Sequence, residues 1–273
     1  MMLYSQCGEK NATGPIACIG AGTGLGECYL TPDHSSDEYF CFSSEGGHVD
    51  FSPRNAVEVG LVDYLKQKFS QKNRISVERV VSGTGLVNIY EYLSMIRPDD
   101  VDPKIQIQIE AAGDMKGAVI ASNPTNKLCK ETMRIFAAAY GAEAGNACLR
   151  WLPLGGLYLT GGLTPKNIDL ISNTNGPFLK AMLDKGRMSE LLKTIPVYAV
   201  LVEDLGERGA HRLAFQDYHA IRSDKLPRNS KLNSRYLFTP PFNIGLLSGL
   251  VLGAVVIYTS LKGYPCDSNG LGH

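Results

Sequence analysis

Three stretches have residue types and spacings that suit chemistry. The first is Gly20-Ala-Gly-Thr-Gly-Leu-Gly26, with glycine at every second position. Such a loop lets backbone N–H groups close on a phosphate, and Thr23 adds a hydroxyl donor. It is not a dinucleotide fingerprint, which needs a third glycine at i+5, and no Gly-Lys-Ser/Thr makes it a P-loop. A tight hairpin that needs positive φ accounts for the glycines equally well. The second stretch is Ser44-Glu-Gly-Gly-His-Val-Asp-Phe51. Two glycines between Glu45 and His48 would let the backbone turn so that both side chains face one ligand. A carboxylate accepts two hydroxyl hydrogen bonds and a neutral imidazole donates one and accepts one, which suits a polyhydroxylated molecule. The third, Glu78-Arg-Val-Val-Ser-Gly-Thr-Gly-Leu-Val-Asn88, offers another acceptor in Glu78 before a glycine-rich turn. The plain alternatives are a surface turn for Glu45 and His48 and a solvated ion pair for Glu78 and Arg79. No second histidine stands three or four residues from His48, so no metal site is expected.

The elements that must position these groups follow from hydrophobic periodicity. Ile16–Ile19 and Glu27–Leu30 read as two short strands of a hairpin around the glycine loop. After Pro53, Val57, Val59, Leu61, Val62, Leu65 and Phe69 recur at helical steps, and Leu86–Ile96 repeats the pattern. Asp102-Pro103 opens a segment from Ile105 to Ile120, and Lys127–Leu152 is the longest helical candidate. Leu157–Thr160 reads as a buried strand ended by Gly161-Gly162. Val197–Val202 is another strand, and a short helix runs from Gly206 to Phe215. Helices and strands alternate throughout, which favours an α/β or α+β fold.

The 273 residues suffice for a hydrophobic core, and 44% hydrophobic with 20% charged content excludes a disordered chain. Lys+Arg and Asp+Glu are each 27, so the basic excess of a nucleic-acid binder is missing. The seven cysteines (7, 18, 28, 41, 129, 148 and 266) are odd in number and form no C-x-x-C pair, which speaks for reduced thiols. Met1–Gly14 is polar and has no signal-peptide pattern.

Taken together, these segments resemble the bacterial-type glucokinases of the hexokinase/actin ATPase superfamily. The resemblance rests on Gly20–Gly26, Glu45-Gly-Gly-His-Val-Asp-Phe51 and Glu78–Tyr90, then Tyr140-Gly-Ala-Glu-Ala-Gly-Asn146 and Leu159-Thr-Gly-Gly-Leu-Thr-Pro165. They stand in family order between Gly14 and Gln216. The resemblance implies an α/β, ribonuclease-H-like large domain over residues 1–215, a mixed sheet with flanking helices. It also implies that Glu45, His48 and Glu78 bind glucose hydroxyls and that Gly22, Thr23 and Gly24 form the second phosphate loop of an ATP site. Gly161 and Gly162 would lie in the adenosine motif, with Mg2+ neutralising the phosphates. The family's first phosphate loop (D-x-G-G-T-N-like) and its general-base aspartate (N-D-F-like) do not occur in the sequence, so no catalytic residue is assigned. The helix from Gly206 would pack on the family's small domain through Leu213, Ala214 and Phe215. A non-catalytic protein that binds glucose or ATP, displayed on a cytosolic membrane face, is the alternative reading.

The membrane enters through the end of the chain. A basic polar linker (216–241) carries Lys225, Arg228, Lys231 and Arg235, and residues 242–261 are 20 residues without a charge. As a helix they would span roughly 30 Å, one hydrocarbon thickness. Gly245, Gly249 and Gly253 form G-x-x-x-G steps that would let two such helices meet in a homodimer. The expectation is a single-pass anchor, a short tail (262–273), and a main domain held in the cytoplasm by the basic flank; a soluble cytoplasmic protein is the runner-up.

Overall fold

The computed structural model describes residues 2–4, 14–35 and 39–222. Six strands, β1 (Met2–Tyr4), β2 (Ile16–Ala21), β3 (Leu25–Pro32), β4 (Tyr39–Ser44), β5 (Gly156–Thr160) and β6 (Val197–Ala199), form one sheet in the order β1-β6-β5-β2-β3-β4. Strands β2, β5 and β6 run parallel, while β3 is antiparallel to β2, β4 to β3 and β1 to β6. The expected α/β mixed sheet is present, and so is the hairpin, paired from Ile16↔Leu30 to Ala21↔Leu25.

The helices are α1 (Ala56–Lys68), α2 (Gly83–Ile96), α3 (Pro103–Ala111), α4 (Lys116–Ala121) and α5 (Lys127–Trp151). They are followed by α6 (Leu163–Lys166), α7 (Ile168–Ser172), α8 (Pro177–Leu183), α9 (Ser189–Leu192) and α10 (Leu205–Arg222). Side-chain alternation divides the sheet. Ala17, Ile19, Leu25, Leu157 and Leu159 join the main core with α5, while Ile16, Cys18, Cys28, Leu30 and Tyr158 form a second cluster with Leu205 of α10. Helix α5 starts where the Asn126 side chain accepts the Cys129 N–H at 3.0 Å, and its Tyr140 hydroxyl donates to the Ile19 carbonyl of β2 at 3.3 Å. Gly141 and Gly145, one helical turn apart, let α8 lie against α5. A Cβ at either would stand 2.0 Å from the Phe178 oxygen or 2.4 Å from the Met182 oxygen.

Several elements differ from the sequence expectation. Strands β1 and β4 were not anticipated. The apolar stripe of α1 includes Leu61 and Leu65 but not Val59, which is exposed. Glu58 is buried instead, because its carboxylate accepts from the Arg54 N–H (2.7 Å) and the Asn55 side chain (2.9 Å), closing the start of the helix. The segment Ile105–Ile120 is two helices, interrupted at Gly113, whose φ is +52°. Strand β6 stops at Ala199, leaving Leu201 and Val202 exposed, and the last helix runs on to Arg222 with Phe215 exposed. The five described cysteines form no disulfide. Among the described residues no helix is long and apolar enough to cross a membrane. The linker, the apolar segment 242–261 and the tail lie outside the described residues.

Candidate functional site

The site gathers at the ends of the parallel strands β2 and β5, where open α/β sheets commonly bind ligands. Strand β2 ends at Ala21, and the chain turns through Gly22, Thr23 and Gly24 into β3, with the Gly22 N–H donating to the Gly24 carbonyl at 2.8 Å. Thr23 is exposed at the tip. The turn does not use the left-handed backbone that its glycines suggested: neither Gly22 nor Gly24 has a positive φ. What Gly22 provides is room, since a Cβ there meets nothing within 4 Å. Its carbonyl accepts the Gly83 N–H at 2.8 Å, which fastens the turn to the first residue of α2.

Parallel pairing places Gly20 beside Thr160, so the chain leaving β5 passes the same turn. There Gly161 has φ +81°, and its Cβ would fall 2.3 Å from the Ala21 carbonyl oxygen. Only glycine fits both conditions. Gly162 then leads into α6. The two glycine segments read from the sequence are therefore neighbours. Gly83 and Gly117 belong with them: a Cβ on Gly117 would stand 2.7 Å from the Gly83 oxygen.

The sugar-type cluster is built from the edge of the sheet. Strand β4 ends at Ser44, whose Oγ accepts the Gly46 N–H at 2.9 Å, and Gly46–His48 form one 3-10 turn. Glu45 precedes it and His48 ends it, with Oε2 and Nε2 3.7 Å apart and both side chains more than half exposed (62% and 57%), so they can meet a ligand together. The glycines between them have a different task from the one first assigned. Neither has a positive φ. A Cβ on Gly46 would lie 2.0 Å from Glu27 Oε2, and one on Gly47 2.0 Å from the Leu25 carbonyl oxygen. They bring the turn down onto β3.

Glu78 arrives from a second 3-10 turn, Val77–Arg79, which is joined to the first by the Val77 N–H donating to the Val49 carbonyl at 2.9 Å. Its Oε2 accepts the Leu25 N–H at 2.9 Å. Glu78 is thus fixed to the residue that follows the Gly22–Gly24 turn, and it is half-buried rather than a solvated partner of Arg79. Asn88 stiffens this support: its amide donates to the Arg79 carbonyl at 2.8 Å.

Beneath the Glu45–His48 turn lies a group that the sequence reading missed. Glu27 on β3 has a fully buried side chain. Arg150 of α5 donates to Glu27 Oε2 at 3.3 Å and also to Glu143 of the same helix. Asn146 donates to Glu143 at 3.0 Å and accepts from Lys185 at 2.7 Å. Burial first, and the Glu143 charge second, push the Glu27 carboxyl up to about 8 against the opposing pull of Arg150. The available signal was a lone acid at the head of an apolar strand. Among the described residues no group of three or more His, Cys, Asp or Glu side chains is arranged to hold a metal ion.

Comparison with known proteins gives the family. The family model described as Glucokinase matches residues 2–217. The glucokinase of Synechocystis sp. is 43% identical over 223 residues, 77% of this chain and 62% of that protein. That of Trichormus variabilis is 43% identical over 217 residues, 75% of this chain and 62% of that protein. The crystal structure of glucokinase from an Antarctic psychrotroph superposes with a TM-score of 0.58 at 25% identity, covering 75% of this chain and 58% of that one. The chain spans about 62% of the length of the curated relatives it matches. Its matched residues include Glu45, His48, Glu78 and both glycine segments, and the chain belongs to the glucokinase family.

Proposed function

We propose that this chain supplies the sugar clamp and the phosphate-facing turns of an ATP-dependent glucokinase, which moves the γ-phosphoryl group of ATP to the 6-hydroxyl of glucose. The observation that carries the reading is the Glu78–Leu25 hydrogen bond. It joins the second sugar-binding carboxylate to the residue that follows the Gly22–Gly24 turn. A glucose held by Glu45, His48 and Glu78 then lies next to the loop that would hold the transferred phosphate. Phosphoryl transfer depends mainly on such positioning and on charge stabilisation.

Nucleotide fit is supported by the close approach at Gly161 and the open space at Gly22. Thr23 and the glycine amides would face phosphate oxygens, and Gly161 and Gly162 would admit the nucleoside. Mg2+ would ride on the ATP phosphates and neutralise their charge, which needs no protein cage. The proton of the 6-hydroxyl must pass to a base, and the family's N-D-F-like aspartate does not occur in the sequence. Lack of a positioned base typically costs about 10²–10⁴-fold in rate. The apolar segment 242–261 would serve as a membrane anchor that holds this lobe on the cytoplasmic side, and its G-x-x-x-G steps would pair two copies.

Isothermal titration of the full chain with glucose, alongside a coupled glucose 6-phosphate assay with MgATP, tests the reading. Saturable glucose binding with turnover at least about a hundredfold below that of the Synechocystis relative is expected. Absence of glucose binding refutes the clamp. Turnover equal to the relative's shows that a base within this chain does the work. Binding of glucose and ATP with no turnover at all leaves a binding protein.

A further inference from the structure

The Glu27 side chain is fully buried and packs against the Glu45–His48 turn. Its Oε2 faces Gly46 and accepts from Arg150. Its Oε1 is buried without a hydrogen-bond donor, while the Glu143 carboxyl lies within hydrogen-bonding reach. Two carboxylates cannot satisfy one another, and a buried oxygen without a donor is costly. A proton on Glu27 resolves this, because the carboxyl becomes a donor toward Glu143 while Oε2 keeps Arg150.

We propose that Glu27, in its protonated form, is a positioning residue of the sugar clamp, setting the height of the Glu45–His48 turn through its contact with Gly46. This rests on the assignment of Glu45 and His48 to glucose. When the proton leaves, Glu27 and Glu143 repel across Arg150, and the Glu27 carboxylate, already packed against Gly46, presses on the turn. The backbone between the two clamp residues is displaced, and glucose binds preferentially to the protonated form. Burial and the Glu143 charge keep that proton in place up to about pH 8.

The charged groups around Glu27 are Arg150 and Glu143 on α5, with Lys185 and Asp184 beyond Asn146, and Arg54 acting on Lys185. On the turn side stand Glu45 and His48, and Cys28 neighbours it on the strand.

The full chain and its Glu27→Gln variant are titrated with glucose from pH 6.5 to 9.5. Tryptophan emission is followed over the same range without sugar. The single tryptophan, Trp151, stacks on Tyr29 of β3 at 5.5 Å, and the Arg150 guanidinium lies 5.4 Å from its ring. In the wild type, Kd should stay level to about pH 7 and then rise, approaching tenfold per pH unit above about pH 8. Emission should change with a midpoint near 8. Glutamine, which mimics the protonated carboxyl, should hold the low-pH Kd throughout and remove the emission step. A level wild-type Kd to pH 9.5, or the same rise in the glutamine variant, overturns the inference and leaves the clamp intact. Failure of both proteins to bind glucose at pH 6.5 overturns the clamp assignment and the role of Glu27 with it. The wild-type profile needs no variant to fold.

Discussion

Alanine at position 161 would meet two separate penalties, and three glycines in this chain allow them to be measured apart. At Gly161 the backbone φ is +81°, and the new Cβ would stand 2.3 Å from the Ala21 oxygen, 2.7 Å from its carbonyl carbon and 2.9 Å from its nitrogen. Ala21 ends a strand paired on both sides, so it has little freedom to retreat. The left-handed backbone costs an L-residue roughly 1–2 kcal/mol. Overpacking against main chain adds about 1–3 kcal/mol. Loss of unfolded-chain entropy returns about 0.4–1 kcal/mol. The expected net destabilisation is about 2–4 kcal/mol. At Gly113 φ is +52° but no atom lies within 4 Å of the Cβ, so Gly113→Ala isolates the backbone part, about 1 kcal/mol or less. At Gly22 there is neither a positive φ nor a collision, and Gly22→Ala should stay within about 0.5 kcal/mol of wild type. Urea unfolding followed by circular dichroism gives the three values, and equilibrium dialysis with ATP gives the functional counterpart. Gly161→Ala should lose stability and ATP binding together. Gly22→Ala should lose ATP affinity alone, because its methyl group occupies the space offered to phosphate. If Gly161→Ala costs no more than Gly113→Ala, the packing of the β5 exit against Ala21 is not the constraint described here.

Further outcomes follow from the same contacts. Gly46→Ala places a methyl 2.0 Å from Glu27 Oε2, so the buried Glu27 side chain or the turn must give, and calorimetry should show glucose affinity reduced about tenfold, a change of roughly 1.4 kcal/mol. Glu78→Gln replaces a charge-assisted acceptor of the Leu25 N–H, and should cost about 1 kcal/mol in urea unfolding and weaken glucose binding. Glu27 has its folded-state carboxyl raised from 4.5 to about 8, so within that window the folded chain holds the extra proton. Stability should therefore fall as pH rises from about 4.5 to about 8, and Glu27→Gln should flatten that part of the curve. The full chain expressed in cells should remain in the membrane pellet after carbonate extraction, and a chain ending at residue 215 should not; recovery of the full chain in the soluble fraction rules out the anchor.

Much of this was legible because local pattern and tertiary role coincide. The hairpin around Gly20–Gly26 shows as two apolar runs divided by glycine, and α5 shows as a long periodic stretch from Lys127. Strand β4 was not legible because its burial pattern does not mark it. Phe40 and Phe42 are exposed, and the strand is held by pairing to β3 and by ring stacking of Phe42 on Tyr29 at 5.0 Å. Val59 was misread because periodicity weighs apolar content and cannot see that Glu58 finds two donors at the helix start. The glycines were found for the right region and partly the wrong reason. Spacing suggests a turn, whereas Gly46, Gly47 and Gly161 are required by a neighbouring strand that only the fold supplies. Glu27 stands more than 100 residues from Glu143 and Arg150, and no short pattern links it to them.

The two halves of the candidate site are not independent loops, and this bears on how the chain would act on two substrates. Leu25 is gripped from both sides: its N–H is held by Glu78, and Gly47 rests against its carbonyl. Gly22, three residues earlier, accepts the N–H of Gly83, only five residues after Glu78. A displacement of the Gly22–Gly24 turn therefore moves the Leu25 end of β3, and with it both supports of the proposed sugar clamp. Such a closed circuit of short contacts favours a fixed distance between sugar and phosphate over separate adjustment of each. That is the requirement of an in-line transfer, in which an error of about 1 Å costs on the order of a hundredfold. It also explains why small residues stand at 22, 46, 47, 83 and 161: each lies where one member of the circuit touches the next, and a side chain at most of them would change the distance that the circuit maintains.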